Sequence, residues 1–194
     1  MRIDPGFAPA EKPLIAALYW DAFGSKLGRV LGPRRKALRF IERVLDPTHA
    51  ICARDNDGKI LGVVGFKTYH GALVGGDWSD MRACYGIWGA LWRVAALAML
   101  ERDVDNDRFL MDGIFVTKAA RGQGTGTQLL EAVTTEARTR GYAKLRLDVI
   151  DTNTRARALY ERLGFVAVDV QSLGPLRYVF GFDSATTMVR DTGR

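Results

Sequence analysis

The sequence predicts an α/β domain of the α+β kind, in which helices flank a mixed, mostly antiparallel sheet. Three observations predict it. Two strand-like runs, "HAICARD" and "KILGVVGFKTY", are joined by the hairpin signal Asn56-Asp57-Gly58, so the sheet begins antiparallel. Further on, an apolar run, a helical stripe and a strictly alternating run follow one another as strand, helix and strand. Apolar residues make up 47% of 194 residues, enough for about one well-buried domain.

Taken in order, Ala10 to Phe23 and Pro33 to Leu45 read as helices. The second opens on a proline and sets Ala37, Phe40, Ile41 and Val44 on one face. The hairpin follows. Gly71 to Asp107 is less regular: a glycine-rich loop, a tryptophan-rich helix over Gly86 to Leu100, and the acidic connector "ERDVDNDR". Phe109 to Val116 reads as a buried strand. Leu129, Leu130, Val133 and Ala137 then form a helical stripe that Gly141 stops. In "AKLRLDVI", Leu145, Leu147 and Val149 oppose Lys144, Arg146 and Asp148, the pattern of a half-buried strand. A last helix carries Ala156, Leu159, Tyr160 and Leu163 and ends at Gly164. Phe165 to Val170 and Thr186 to Val189 are expected to close the sheet. No repeat, low-complexity linker or composition break divides the chain, so residues 1–194 are expected to form one domain.

Charge and composition exclude several functions. The net charge is 28 − 22 = +6, which favours an anionic ligand, but no dense Lys/Arg block argues for nucleic acid. Cys52, Cys84, His49 and His70 show neither zinc spacing nor a disulfide framework. No metal is expected, and two free thiols suit a reducing cytoplasm. The first twenty residues lack a basic segment followed by an apolar core, so no secretory signal is read there. The most apolar stretch, "GIWGALWRVAALAML", is too short to span a bilayer and carries Arg93. No membrane partner is expected.

The stretch "IFVTKAARGQGTGTQLLEAV" holds the chemistry. It sets Arg121 and three alternating glycines, Gly122, Gly124 and Gly126, between an apolar run and a helix start. A helix N-terminus presents unpaired N–H groups and partial positive charge, which together attract an anion. Glycines there admit unusual φ values and let a phosphate approach without meeting Cβ atoms. A structural turn usually needs one glycine, so three beside an arginine favour a phosphate cradle over a plain loop. "GQGTGT" completes neither the dinucleotide fingerprint nor a P-loop.

"VTKAARGQGTG" resembles motif A of the GNAT superfamily of N-acetyltransferases, with Arg121, Gly124 and Gly126 at its fixed positions. "NTRARALYERLGF" resembles the same family's motif B, with Asn153, Ala156, Tyr160 and Gly164–Phe165 in register. The close resemblance covers about Leu110 to Val166. It implies a GNAT-like fold with a splayed parallel strand pair at the centre of the sheet, and acetyl-CoA as co-substrate. The pyrophosphate would then rest on backbone N–H groups of Arg121, Gly122, Gln123, Gly124, Thr125, Gly126 and Thr127. Ile114, Phe115 and Val116 would lend exposed backbone to the pantetheine arm, with N–H groups near Val116 available to polarise the thioester carbonyl. Asn153 would contact the cofactor or an ordered water, or serve only as a helix cap.

For catalysis the resemblance points to Tyr160, whose phenol would protonate the departing CoA thiolate. Without the motif, a tyrosine at such a position reads as core. The acceptor is expected to be a primary amine, on a small molecule or a peptide. A lysine-like amine with a pKa of about 10 must lose a proton before attack. Asp112 stands where related enzymes often carry an acid. It would accept that proton directly or through water, hold a substrate ammonium, or cap the strand end.

Gly71 to Asp107 exceeds a minimal family member and is expected to cover the acceptor side of the pocket. Trp78, Trp88, Trp92 and Tyr85 are candidates for its lining, although core packing or a homodimer face reads better for Trp88 and Trp92. Glu101, Asp103, Asp105 and Asp107 read better as a solvated loop than as an acidic wall. Arg155 and Arg157 either reach phosphate or face water beside Glu161. The competing function is a non-catalytic acyl-CoA-binding sensor on the same scaffold.

Overall fold

The computed structural model describes residues 1–98 and 108–193. The acidic stretch Glu101 to Asp107 therefore lies outside the described residues. One sheet organises the rest. Its strands are β1 (Arg2–Pro5), β2 (Ala50–Arg54), β3 (Ile60–Thr68), β4 (Gly71–Ala72), β5 (Arg108–Val116), β6 (Lys144–Ile150), β7 (Val166–Ser172) and β8 (Ser184–Asp191). They run in the order β1-β2-β3-β5-β6-β8-β7, with β4 paired on β3 beside that path. Every pairing is antiparallel except β5 with β6.

The expected hairpin joins β2 and β3: the Asp55 carboxylate accepts from the N–H groups of Asp57 and Lys59, closing the turn. β1 has no counterpart in the sequence reading. Four residues are too few for a period, and its place is fixed by pairing Ile3 with Ala53 and by Arg54, which reaches both Asp4 and Glu11.

Helices cover both faces. On one side lie α1 (Lys12–Leu31), α2 (Arg34–Val44) and α3 (Trp78–Ala98); on the other lie α4 (Thr125–Thr139) and α5 (Thr154–Arg162). A short helix, α6 (Arg177–Phe180), falls in the β7–β8 connection, where none was expected. α1 runs eight residues past its expected end at Phe23. Gly24 and Gly28 do not stop it; the Trp20 side chain folds over both, and an added Cβ on Gly24 would lie 3.0 Å from that ring. Pro33 sits just ahead of α2, in extended conformation, and the helix begins at Arg34.

Two large apolar cores result, with a smaller third one of Val30, Phe180, Phe182 and Ala185. Ile15, Leu31, Phe40, Ile41, Val63, Tyr85 and Phe115 fill the α1–α2–α3 side. Phe66, Phe109, Leu129, Leu130, Leu145, Leu147, Tyr160 and Met188 fill the α4–α5 side, including the predicted stripe of α4 and the inward half of β6.

The tryptophan-rich helix differs most from its expectation. α3 begins at Trp78 and breaks at Gly86, whose φ of 73° and ψ of 175° lie outside the helical range. Tyr85 is buried and its hydroxyl donates to Leu31 O, so it anchors α3 to the end of α1 and lines no pocket. Trp88 and Trp92 face solvent, which overturns core packing for that pair.

Candidate active site

β5 and β6 part company. Their parallel pairing covers Arg108, Phe109 and Leu110 against Lys144, Leu145 and Arg146, and stops there. β5 continues to Val116 against β3, and β6 continues to Ile150 against β8. Between the diverging halves the sheet opens, as the splayed pair required. The Thr117 N–H donates to Leu61 O at 2.8 Å. Since strand N–H groups alternate in direction, those of Val116 and Ile114 turn toward the opening.

At the end of β5 the chain makes one 3-10 turn, Lys118–Ala120, and reaches the glycine loop. Gly122 and Gly124 have φ of 79° and 80°, a region that side chains disfavour, and no protein atom lies within 4 Å of where their Cβ atoms would stand. Gly124 caps α4. The Arg121 N–H meets Lys118 O at 3.4 Å and the Gln128 N–H meets Gly124 O at 3.0 Å. Among the described residues no acceptor engages the intervening amides of Gly122, Gln123, Gly124, Thr125, Gly126 and Thr127. Six consecutive amides at a helix start are thus left without an acceptor among the described residues, the condition under which a helix N-terminus attracts an anion.

The side chains of this loop brace it. Arg121 Nε donates to Val116 O at 3.3 Å, Gln123 Nε2 to Ala119 O at 2.8 Å, and the buried Thr125 hydroxyl to Ala120 O at 3.2 Å. Arg121 thus ties the loop to β5, and Gln123 and Thr125 tie it to the preceding 3-10 turn, none of them using a loop N–H. Gly126 has a different task. It lies in the first turn of α4, and an added Cβ would make ordinary contact with Leu159 of α5 at 3.4 Å.

Asn153 caps α5, its Oδ1 accepting the Ala156 N–H at 3.2 Å. The cap is therefore real, while its Nδ2 donors have no partner among the described residues. Arg157 pairs with Glu161 at 2.9 Å, facing water as one of its two readings had it. Tyr160 is buried, its ring 5.8 Å from that of Phe165. Burial pushes its phenol up to about 12, so it stays protonated at neutral pH. No described residue hydrogen-bonds its hydroxyl.

Asp112 occupies a bulge. Gly65 pairs with Gly113 and Phe66 with Met111, leaving Asp112 as the extra residue of β5. Such a bulge re-aims a side chain, here toward α1. Asp112 is exposed to solvent, although protein packs around its carboxyl. That enclosure raises its carboxyl above the ordinary range, against the opposing pull of Lys26, Lys67, a Val74 backbone hydrogen bond and His49. Over it stand Tyr19 and Phe23, with ring centroids 4.7 Å apart and both set edge-on to Phe115. Phe23 comes so close that a Cβ on Gly113 would lie 2.6 Å from its ring. Burial, and then the charge of Asp112, raises the Tyr19 phenol as well.

Tyr160 and Asp112 thus lie on opposite faces of the sheet, with the β5–β6 opening between them. Sequence reasoning missed Tyr19, Phe23, Lys26 and Lys67. An aromatic pair at i, i+4 on an early helix was the one available signal, and nothing local tied it to a bulge about ninety residues later. A separate recess of about 420 Å³, lined by Phe7, Pro47, Ile51, Phe66, Glu136 and Arg140 among others, contains none of these residues.

The sheet is mixed and parts at one parallel pair, and beside the gap stands a helix start whose first amides have no acceptor among the described residues. Residues 13–165 match the Acetyltransferase (GNAT) family, and the chain belongs to that family of acetyltransferases. A mycothiol acetyltransferase of Jonesia denitrificans is 48% identical over 54 residues, which are 28% of this chain and 17% of that protein; the match spans about a sixth of the relative's length. Among solved structures, an N-acetyltransferase from Staphylococcus aureus Mu50 superposes with a TM-score of 0.67 at 17% identity, covering 98% of this chain and all of that one. A GNAT family acetyltransferase from Elizabethkingia anophelis with acetyl-CoA bound gives 0.50 at 16% identity, over 73% and 74% of the two chains.

Proposed function

We propose that this protein transfers the acetyl group of acetyl-CoA to a primary amine by direct attack. The carrying observation is the row of six unengaged amides from Gly122 to Thr127, opening beside the gap between β5 and β6. The residues present suit a CoA pyrophosphate: positive-φ glycines clear of neighbouring atoms, a helix N-terminus, and bracing side chains that use none of the loop amides. Bound there, acetyl-CoA supplies an acetyl thioester.

The rest is assigned to the chain's own groups. The N–H groups of Val116 and Ile114, directed into the gap, bind the pantetheine arm and polarise the carbonyl. Phe115 packs on the α1 side, beneath Tyr19 and Phe23. Asp112 takes a proton from the acceptor ammonium, directly or through water, and its raised pKa brings it nearer to that task than an ordinary carboxylate. The free amine forms its bond to the acetyl carbon as the carbon–sulfur bond breaks, and the surplus proton left on the new amide nitrogen passes through water to restore the Tyr160 phenol. Tyr160 Oη, kept protonated by burial, gives its proton to the departing sulfur. Asn153, while capping α5, offers Nδ2 to the co-substrate or a water. The acceptor, on a small molecule or a peptide, enters from the α1 side past Tyr19 and Phe23.

The test is acetyl-CoA consumption against a panel of amines, run beside equilibrium CoA binding. Amine-dependent thiol release with saturable CoA binding is expected. Tight CoA binding without turnover on any amine would transfer the protein to the sensor reading, and absence of CoA binding would remove the cradle.

A further inference from the structure

We propose that the outward faces of α3 and α2 form a docking surface for an anionic membrane. The inference is independent of the acetyl-transfer reading. It begins with an inversion. A surface helix ordinarily turns its charges outward and its apolar stripe inward. Past the break at Gly86, α3 reads "IWGALWRVAALA", with one charge in twelve residues, and that charge points in. The Arg93 guanidinium lies 4.1 Å from the Tyr85 ring centre and 4.3 Å from that of Trp92, and donates to Gly89 O and Gly32 O at 3.0 Å each. Its Nε is sealed and unpartnered. Ala90, Ala96 and Leu97 share this inner side.

What faces out is apolar throughout. Trp88 is 82% exposed, Ile87 59%, Leu91 56% and Trp92 45%, and Val94, Ala95 and Ala98 extend the face. With about 3.6 residues per turn these positions fall on one broad side of the helix. Large apolar side chains scattered singly over a surface need no explanation; a contiguous, charge-free helical face marks a contact.

The neighbouring helix selects the occupant. α2 packs beside α3 and exposes Arg34, Arg35, Lys36, Arg39 and Arg43. Arg43 bonds Asp80 and Arg34 approaches Asp21 at 4.0 Å. Arg35, Lys36 and Arg39 have no carboxylate partner among the described residues. Lys36 lies 5.9 Å from the ring centre of Tyr85, one residue before the break at Gly86. Tryptophan and aliphatic side chains entering the headgroup boundary, with lysine and arginine beside them, are how a peripheral helix holds an anionic bilayer. A second copy would satisfy the apolar face but leave the cations without a counterpart. The contact is peripheral, because no helix among the described residues is long and apolar enough to cross a membrane.

The experiment is co-sedimentation of the full chain with large vesicles, of phosphatidylcholine alone or of equal parts phosphatidylcholine and phosphatidylglycerol, with tryptophan emission followed in parallel. Salt-sensitive binding to the phosphatidylglycerol vesicles, with a blue shift, is expected. Trp88→Ser/Leu91→Ser, both on exposed positions, is expected to weaken binding by roughly tenfold or more. Arg35→Glu/Arg39→Glu, on a separate helix, is expected to remove the preference for anionic vesicles. Each variant is first checked for wild-type circular dichroism and Tm. No binding to the anionic vesicles, or equal binding by wild type and both double variants, overturns the proposal. So does a concentration-dependent dimer that Trp88→Ser abolishes in a protein that ignores vesicles, since the face would then belong to a second copy.

Discussion

The two sides of the β5–β6 opening are built from different materials. The α4 side is made of backbone: six amides, two positive-φ glycines, and side chains that turn back to brace the loop. The α1 side is made of side chains, Asp112 on a bulge under Tyr19 and Phe23, with Lys26 and Lys67 acting on its charge. Under the proposed function, the backbone side binds the co-substrate, which is the same for every acceptor. A side-chain cleft can be rebuilt for each acceptor without disturbing the cradle. Tyr160 sits on the α4 side and Asp112 on the α1 side, so the account joins the two halves only through the chemistry in the gap.

Substitutions can separate the halves. The largest effect is expected from Tyr160→Phe, which keeps the buried ring and removes the phenol. Turnover should fall by about a hundredfold or more with acetyl-CoA affinity little changed. Steady-state kinetics and equilibrium binding, measured on the same protein, check this; unchanged turnover returns Tyr160 to a packing role.

Asp112→Asn should cost about ten- to a hundredfold in kcat/KM and leave acetyl-CoA affinity intact. It also carries a pH signature. The folded-state pKa of Asp112 is raised by burial, so the fold holds its proton more tightly than the unfolded chain does. Its favourable contribution to stability is present at low pH and is lost as pH rises through the folded value. At neutral pH the ionised carboxylate, solvent-exposed yet closely enclosed by protein, therefore favours the fold less than its protonated form does in acid, and Asn should raise Tm there more than in acid. Wild-type activity should fall as pH drops through the raised value, and that limb should vanish in the variant. Thermal melts and pH–rate profiles read both; a lower Tm at neutral pH would count against this environment for Asp112.

Gly126→Ala sharpens the other half. The methyl would make ordinary contact with Leu159, and alanine favours a helix, so the fold should be kept or slightly stabilised. If a phosphate rests on the amides of this first turn, the same methyl crowds it, and acetyl-CoA affinity should drop by roughly tenfold. Valine at Gly124 is a blunter probe, because its φ of 80° would strain any side chain. Isothermal calorimetry distinguishes lost affinity from lost fold.

The smallest effect is expected at Asn153. Alanine removes the cap of α5, worth about 1 kcal/mol, and should lower Tm by about 2–4 °C. Aspartate keeps a capping oxygen but loses the Nδ2 donors. If Asn153 touches the co-substrate, aspartate should restore Tm without restoring affinity; recovery of both leaves it a cap alone.

The same contrast explains what could be read in advance. The glycine loop and the helix start after it were legible because their whole signal lies in one short stretch: Arg121 with alternating glycines before a helical stripe can be seen without knowing what lies nearby. Strand pairing around it followed from the Asn56-Asp57-Gly58 hairpin and the alternation of Lys144 to Ile150. The acceptor side was not legible, because Tyr19 and Asp112 meet only through tertiary packing and a one-residue bulge. α3 was misjudged for a related reason. Trp88 and Trp92 have the composition of a core, and only the break at Gly86 and the inward turn of Arg93 direct them to solvent. The end of α1 was misplaced because Gly24 and Gly28 look like stops until Trp20 is found lying over them.

The claim on which the rest depends is that the start of α4 holds the phosphates of acetyl-CoA. The most direct measurement is a titration of the ¹⁵N-labelled protein with CoA, following the backbone amides one by one. Saturable shifts largest at Gly122, Gln123, Gly124, Thr125, Gly126 and Thr127, and lost together in Gly126→Ala, are the predicted result. Amides that stay unmoved there while CoA shifts another surface, such as the recess beside Arg140, would contradict it.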